Sequence, residues 1–390
     1  MSPASVRFRP PRLTPPPEIR WMLLRAFGPA GAPFGEPVDA AATLTAARRF
    51  ELSARIASRQ GRARLAAELG EEGASGFLRD QGAAAALGMR LLSVARDIAG
   101  VAETLGLPLV FLKFVALDAA GLAVVGRRPA CDVDVLVPAG RAAELQRALV
   151  ARGYHDSGLP EGEHQLPALS HPGGGTVEVH RMVLGVRLFG KASATLEALE
   201  EAGLLLPAPG FTGRCAIPEA RVLAAHALVH GIGQHGYWPD SYPLFKMVGD
   251  LIDLEVSTDG AWVGKDVSAA EVEAVRRLCM ALAEGRDPVG WDDTAGETVL
   301  LRHLLAGRLD PDYAASLRLG LFRPQPSERG PAARLVHAVL GAVFLSRAQI
   351  DAIYGRPRHR LGYLARRLAR PFDLLRRLGS YGARALKARS

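Results

Sequence analysis

Residues 131–137 read Cys131-Asp-Val-Asp-Val-Leu-Val137, an apolar run that carries two carboxylates two positions apart. Side chains along a strand alternate between its faces, so Asp132 and Asp134 project together while Val133, Val135 and Val137 fill the opposite face. Carboxylates forced side by side repel each other, and burial worsens the repulsion. A divalent cation between them relieves both penalties, and oxygen ligands favour magnesium or manganese. The competing reading is a solvated strand end where the two acids mark a turn; the flanking valines count against it. A third acid lies in the same kind of context, Glu178 in Thr176-Val-Glu-Val-His180. If that strand lies beside the first, three carboxylates converge, the ligand set of two-metal phosphoryl or nucleotidyl transfer.

Outward from this run, Leu107–Leu112 is a short apolar stretch with the character of a buried strand, and Val115–Val125 has a helical pattern. Arg141–Arg152 returns to helix and closes at Gly153. Leu166–Ser170 and Thr176–Met182 flank His171-Pro-Gly-Gly-Gly175, whose glycines suit a hairpin turn. The order is βαβαββ. Ile19 to about Gly106 reads as helix, with Leu87, Leu91, Leu92, Ala95, Ile98 and Val101 at helical spacing. After Pro218 the chain reads as helix again, over Glu219–Gly231, Pro243–Val256 and on to about residue 350. The expected fold class is α+β, a small mixed sheet embedded in a mostly helical protein. Its expected parts are a proline-rich extended arm at 1–20, helices at 21–106, the α/β core at 107–190, a helical domain at 210–350 and a basic amphipathic tail at 355–390.

The run Leu112-Lys113, Arg128 separated by three residues from Asp132-Val-Asp134, Gly153-Tyr154, His164 and Val177-Glu-Val-His180 resembles the uncharacterised bacterial nucleotidyltransferases of the DNA polymerase β-like superfamily. His226-Ala-Leu-Val-His230 and the segment from Leu244 to Leu254 resemble that family's C-terminal half. The resemblance covers roughly residues 40–255. It implies transfer of a nucleoside monophosphate from an NTP donor to an acceptor, with Mg²⁺ or Mn²⁺ held by Asp132, Asp134 and Glu178. Glu178 would complete the metal site or poise the acceptor hydroxyl, and Lys113 and Arg128 would neutralise the triphosphate. His180 shares a strand face with Glu178 and is a candidate to orient it or to meet phosphate, against the reading of a hydrogen-bonded core histidine. The sequence departs from the family at Phe114, where a glycine is usual. A benzyl group there is expected to block close approach of the backbone to phosphate unless the helix start shifts. Two other readings stay open: a degenerate core that serves as a binding or scaffold module, and transfer of another phosphate-linked group such as a sugar phosphate in glycan or peptide modification.

His226 and His230 stand at i and i+4 without the glutamate of a zinc-protease motif, so packing or a polar contact on the substrate side is the expectation. Asp250 and Asp253, on an apolar helix, are expected to serve caps or arginine partners. Tyr154 is expected to pack.

With 390 residues, 48% hydrophobic and 23% charged, the chain is long enough to bury a substantial core without crosslinks. Cys131, Cys215 and Cys279 are scattered with no metal-ligand spacing, which argues against a structural zinc site and fits a reducing cytoplasm. No run approaches the roughly 20 apolar residues that span a bilayer. The net charge of +8 sits in the tail, where Gly355–Ser390 has eleven Lys or Arg against one acid, Asp373. Leu361, Leu364, Leu368, Leu375 and Leu378 stripe that tail, and Pro371 interrupts it. It reads as a terminal helix packed on the body or as a peripheral contact with an anionic inner-membrane surface. Nucleic acid is not an expected partner, because aromatics are 6% and no stacking motif is present. The acceptor stays open among small molecule, glycan precursor, peptide and protein.

Overall fold

The acidic run forms β2 (Asp132–Leu136), the middle strand of a seven-stranded sheet. The structure is a computed structural model that describes residues 14–122, 124–157, 164–191, 193–235, 243–255, 262–263, 267–309 and 362–369. The other strands are β1 (Leu109–Phe111), β3 (His155–Asp156), β4 (Leu169–Ser170), β5 (Thr176–His180), β6 (Leu205–Pro207) and β7 (Cys215–Pro218), in the order β3-β4-β5-β2-β1-β7-β6. β2 pairs parallel with β5 and antiparallel with β1, so the sheet is mixed. Both neighbours cover its edges, and Val133, Val135 and Leu136 are fully buried. The α+β reading holds.

The β4–β5 hairpin forms where the glycines stand. Gly174 and Gly175 take φ of +90° and +100°, and a Cβ at Gly175 would lie 2.9 Å from Leu91 Cδ2. Only glycine combines that backbone with that approach.

Helices α1 (Pro17–Phe27), α2 (Ala40–Arg49) and α3 (Ser53–Thr104) precede the sheet, and Gly61 and Gly70 break the helical geometry of α3 with positive φ. α4 (Lys113–Ala119) begins two residues before the expected helix and stops well short of Val125, because Gly121 turns the chain at φ +82°. α5 (Ala142–Ala151) closes near Gly153 as expected, and α6 (Leu196–Glu201) leads into β6. The strands β3, β6 and β7 go beyond the sequence reading, and β6 and β7 carry the sheet past residue 190 to Pro218.

α7 (Ala220–Leu228) runs into a π-helical turn, Val229–Gln234. α8 (Leu244–Leu254), α9 (Ala269–Ala283) and α10 (Gly296–Leu309) follow. The N-terminal helices, the sheet and α7–α10 share one contiguous core, from Trp21 and Phe77 to Val275 and Leu305.

The chain divides into two units, Arg9–Asp310 and Met1–Phe8 with Pro311–Ser390. In the second, the described residues are a helix over 362–369, on which Leu364 and Leu368 are exposed. The arm up to residue 13, the expected helices beyond residue 309 and the rest of the basic tail lie outside the described residues. Among the described residues, no helix is long and apolar enough to cross a membrane.

Candidate active site

The register of β2 on β5 builds the site. Asp134 is the partner of Glu178, Asp132 of Thr176 and Leu136 of His180. With alternation on both strands, Asp132, Asp134, Glu178 and His180 share one face. Asp134 lies deepest, its side chain fully buried, while Asp132 and Glu178 stand nearer the mouth with 25% and 17% of their side chains exposed.

β1 delivers the cation. The Leu112 N–H donates to the Asp134 carbonyl at 3.0 Å, which ties the end of β1 to the centre of β2. Lys113 follows with φ 45°, in the left-handed region that costs a side-chain-bearing residue about 1–2 kcal/mol. From there its Nζ reaches Asp134 Oδ1 at 2.8 Å, Glu178 Oε2 at 3.8 Å and Asp132 Oδ2 at 4.0 Å. The turn also settles where Phe114 goes. Its ring is buried at 1% exposure and its Cζ meets α3 at Gly88, where a Cβ would sit 3.0 Å away. The helix start is shifted to Lys113, so the ring packs in the core under α3.

His180 Nε2 lies 3.0 Å from Asp134 Oδ1 and 3.5 Å from Glu178 Oε2, linking the two acids. Burial opposes every charge here, so the pairings decide which charges persist. Asp134 is pushed up by burial but held well below the usual carboxylate range by Lys113 and His180. Burial would lower Lys113, yet Asp134, Asp132 and Glu178 together hold its ammonium above the ordinary lysine value. Asp132 is raised, by burial first and then by the neighbouring Asp134 charge. Burial lowers His180, but its bonds to Asp134 and Glu178 outweigh that and raise it.

Asp134, Glu178 and His180 each offer a ligand atom, all within 4.8 Å of one another. Asp134 Oδ2 and His180 Nδ1 are buried with no hydrogen-bond partner. An orphaned, ionised carboxylate oxygen inside a cluster of oxygen and imidazole donors fits a divalent metal.

Arg128 lies apart from the carboxylates. It is buried and pairs through Nε with Asp250 Oδ1 at 2.7 Å. Asp253 pairs with Arg55 at 2.7 Å and with Arg127, so both acids of α8 have arginine partners. Lys113 and Arg128 nonetheless line one cleft, together with His226, His230 and Asp250. His226 on α7, His230 in the π-helical turn and His235 just beyond it bring their rings together in a row, with centroids 5.9 and 4.5 Å apart and the second pair edge-on. Burial, reinforced by the Lys113 charge, lowers His226 to about 3 and His235 to about 4. His164 stacks beside His180 at 5.4 Å and is lowered to about 4 by burial and the His180 charge. Tyr154 packs in the core and donates its hydroxyl to Asp97 at 2.9 Å.

The residue that sequence reading missed is Lys246 on α8, half-buried and within electrostatic reach of Asp132, with burial and Arg128 lowering it. A signal was present. Only five of the 48 basic residues are lysine, and two of those five, Lys113 and Lys246, are electrostatically coupled to the acid cluster.

Compared with known families, residues 36–248 match the uncharacterised nucleotidyltransferase family, over more than half of the chain. The chain belongs to this family, which places it among the nucleotidyltransferases and implies an NTP donor. No curated protein and no solved structure matches it.

Proposed function

We propose that the protein is a Mg²⁺-dependent nucleotidyltransferase of the DNA polymerase β-like kind, moving NMP from an NTP to an acceptor hydroxyl or phosphate by a two-metal mechanism. The observation that carries this reading is the register pairing of Asp134 with Glu178, with Asp132 and His180 on the same face. Asp132, Asp134 and Glu178 would hold the metal, which when bound stabilises charge developing on the phosphoryl oxygens. His180 fixes the orientation of Asp134 and Glu178 through Nε2. Glu178, at the mouth, poises the acceptor oxygen for attack on the α-phosphorus as pyrophosphate leaves from the opposite side. Lys113 supplies positive charge beside the transferring group, and Arg128 supports the adjoining cleft from its pair with Asp250. The placement of Phe114 in the core favours a working phosphate site over a degenerate one, because the ring does not stand between backbone and ligand.

The test is calorimetric titration of the full chain with a non-hydrolysable NTP analogue in the presence of Mg²⁺. Binding that is lost on removing Mg²⁺, and at least tenfold weaker in Asp134→Ala, is the expected result. Equal binding by the variant, or binding indifferent to metal, contradicts the assignment.

A further inference from the structure

We propose that Lys113 is the resident cation of the acid cluster and that a divalent ion loads by displacing its ammonium from Asp134 into the adjoining cleft beside His226. The inference rests on the reading that the carboxylates bind a divalent ion, and goes beyond it to how that ion enters.

The first ground is position. Lys113 Nζ lies within 4.0 Å of oxygens from all three carboxylates and bonds Asp134 Oδ1 at 2.8 Å. A metal coordinated by those carboxylates needs the same space. Two cations there would repel strongly at any dielectric a protein interior offers. The second ground is a destination. Lys113 lines the cleft as well as the cluster, so torsions of its own side chain carry the ammonium from one to the other. His226 lines that cleft at 3% exposure, with no side-chain partner for either ring nitrogen and the Leu184 backbone beside the ring. A neutral, buried imidazole offers a lone pair suited to an ammonium. The third ground is residue type. Lysine is a compact charge on a flexible stem, whereas arginine would grip the carboxylates bidentately, and this chain uses arginine almost everywhere else.

The test measures Mn²⁺ affinity of the full chain without nucleotide in wild type, Lys113→Met, Lys113→Arg and Asp134→Asn. Displacement predicts that Lys113→Met binds Mn²⁺ at least tenfold more tightly than wild type and that Lys113→Arg binds it more weakly. A second readout needs no variant at the lysine: in ¹⁵N-histidine-labelled wild type, Mg²⁺ shifts the His226 ring resonances. That readout decides the matter if Lys113→Met does not fold. Equal Mn²⁺ affinity in wild type and Lys113→Met, or an unmoved His226 signal on saturation with Mg²⁺, overturns the proposal. Asp134→Asn keeps the two levels apart. If it loses Mn²⁺ while Lys113→Met matches wild type, the carboxylate site stands and displacement falls. If it binds Mn²⁺ like wild type, the metal reading itself falls, and displacement with it.

Discussion

Asp134 and Glu178 are register partners on adjacent parallel strands, and His180, two residues beyond Glu178, bonds Asp134 across the strand gap at 3.0 Å. A one-residue slip of β5 would turn Glu178 and His180 to the other face and dismantle the site. The hairpin turn at His171–Gly175 and the bond from the Thr176 N–H to the Cys131 carbonyl at 3.1 Å fix that register at its start. Chemistry at this site therefore depends on backbone pairing as much as on the acids.

Asp134 sits in a fully buried position with its charge held by Lys113 and His180. Asp134→Ala should leave a folded protein whose far-ultraviolet circular dichroism matches wild type while nucleotide transfer falls by at least about a hundredfold, the scale of losing a group that stabilises transition-state charge. Transfer at the wild-type rate in a folded variant would contradict the site.

The Phe114 ring is held against α3 by the missing side chain of Gly88. Gly88→Ala should be near neutral, since the helix propensity gain of roughly 1 kcal/mol offsets a tight contact. Gly88→Leu cannot be accommodated without moving the ring and should cost about 2 kcal/mol or more in urea unfolding. No loss in that variant would mean the ring is not packed there.

Arg128 and Asp250 form a buried pair between the β2 approach and α8. Asp250→Ala removes the carboxylate that pairs with Nε of a buried arginine and should destabilise by about 1–3 kcal/mol. The joint replacement Arg128→Met with Asp250→Leu should recover most of that loss. Equal destabilisation by the single and double changes would show that the pair is not the source of the effect.

His303, on α10 and 5% exposed, is lowered to about 4 by burial. The unfolded chain takes up a proton near pH 6.5 that the folded chain refuses until about 4, so stability falls as pH drops through that window. The slope is up to about 1.4 kcal/mol per pH unit for one such group. His303→Gln should flatten the acid limb of stability between pH 6.5 and 4.5, measured by urea unfolding. An unchanged slope would show that the histidine titrates normally.

Much of this was legible in the chain because the relevant patterns are local. Asp-Val-Asp and Val-Glu-Val-His carry their alternation on their face, and the three glycines between β4 and β5 announce the hairpin. Lys113 was legible as a site residue through its neighbours in the family pattern. Its bond to Asp134 was not, because that depends on Leu112 pairing with β2 and on a left-handed backbone at a lysine. The position of the Phe114 ring was hidden in the same way. Its side chain packs inward because Gly88, twenty-six positions away, makes room. The strands β6 and β7 escaped notice for a different reason: Leu205–Pro207, at the sheet edge, and Cys215–Pro218, beside it, are short, proline-bearing segments without a clear alternation.

The most direct test of the account is thermal unfolding of wild type and of the Asp132→Ala/Asp134→Ala double variant, each with Mg²⁺ and each of the four NTPs. A ligand that binds the native state alone must raise the melting temperature. The account predicts a rise of at least about 3 °C in wild type with one or more NTPs, dependent on Mg²⁺ and absent from the double variant. No metal-dependent rise in wild type with any NTP, or the same rise in the double variant, would contradict it.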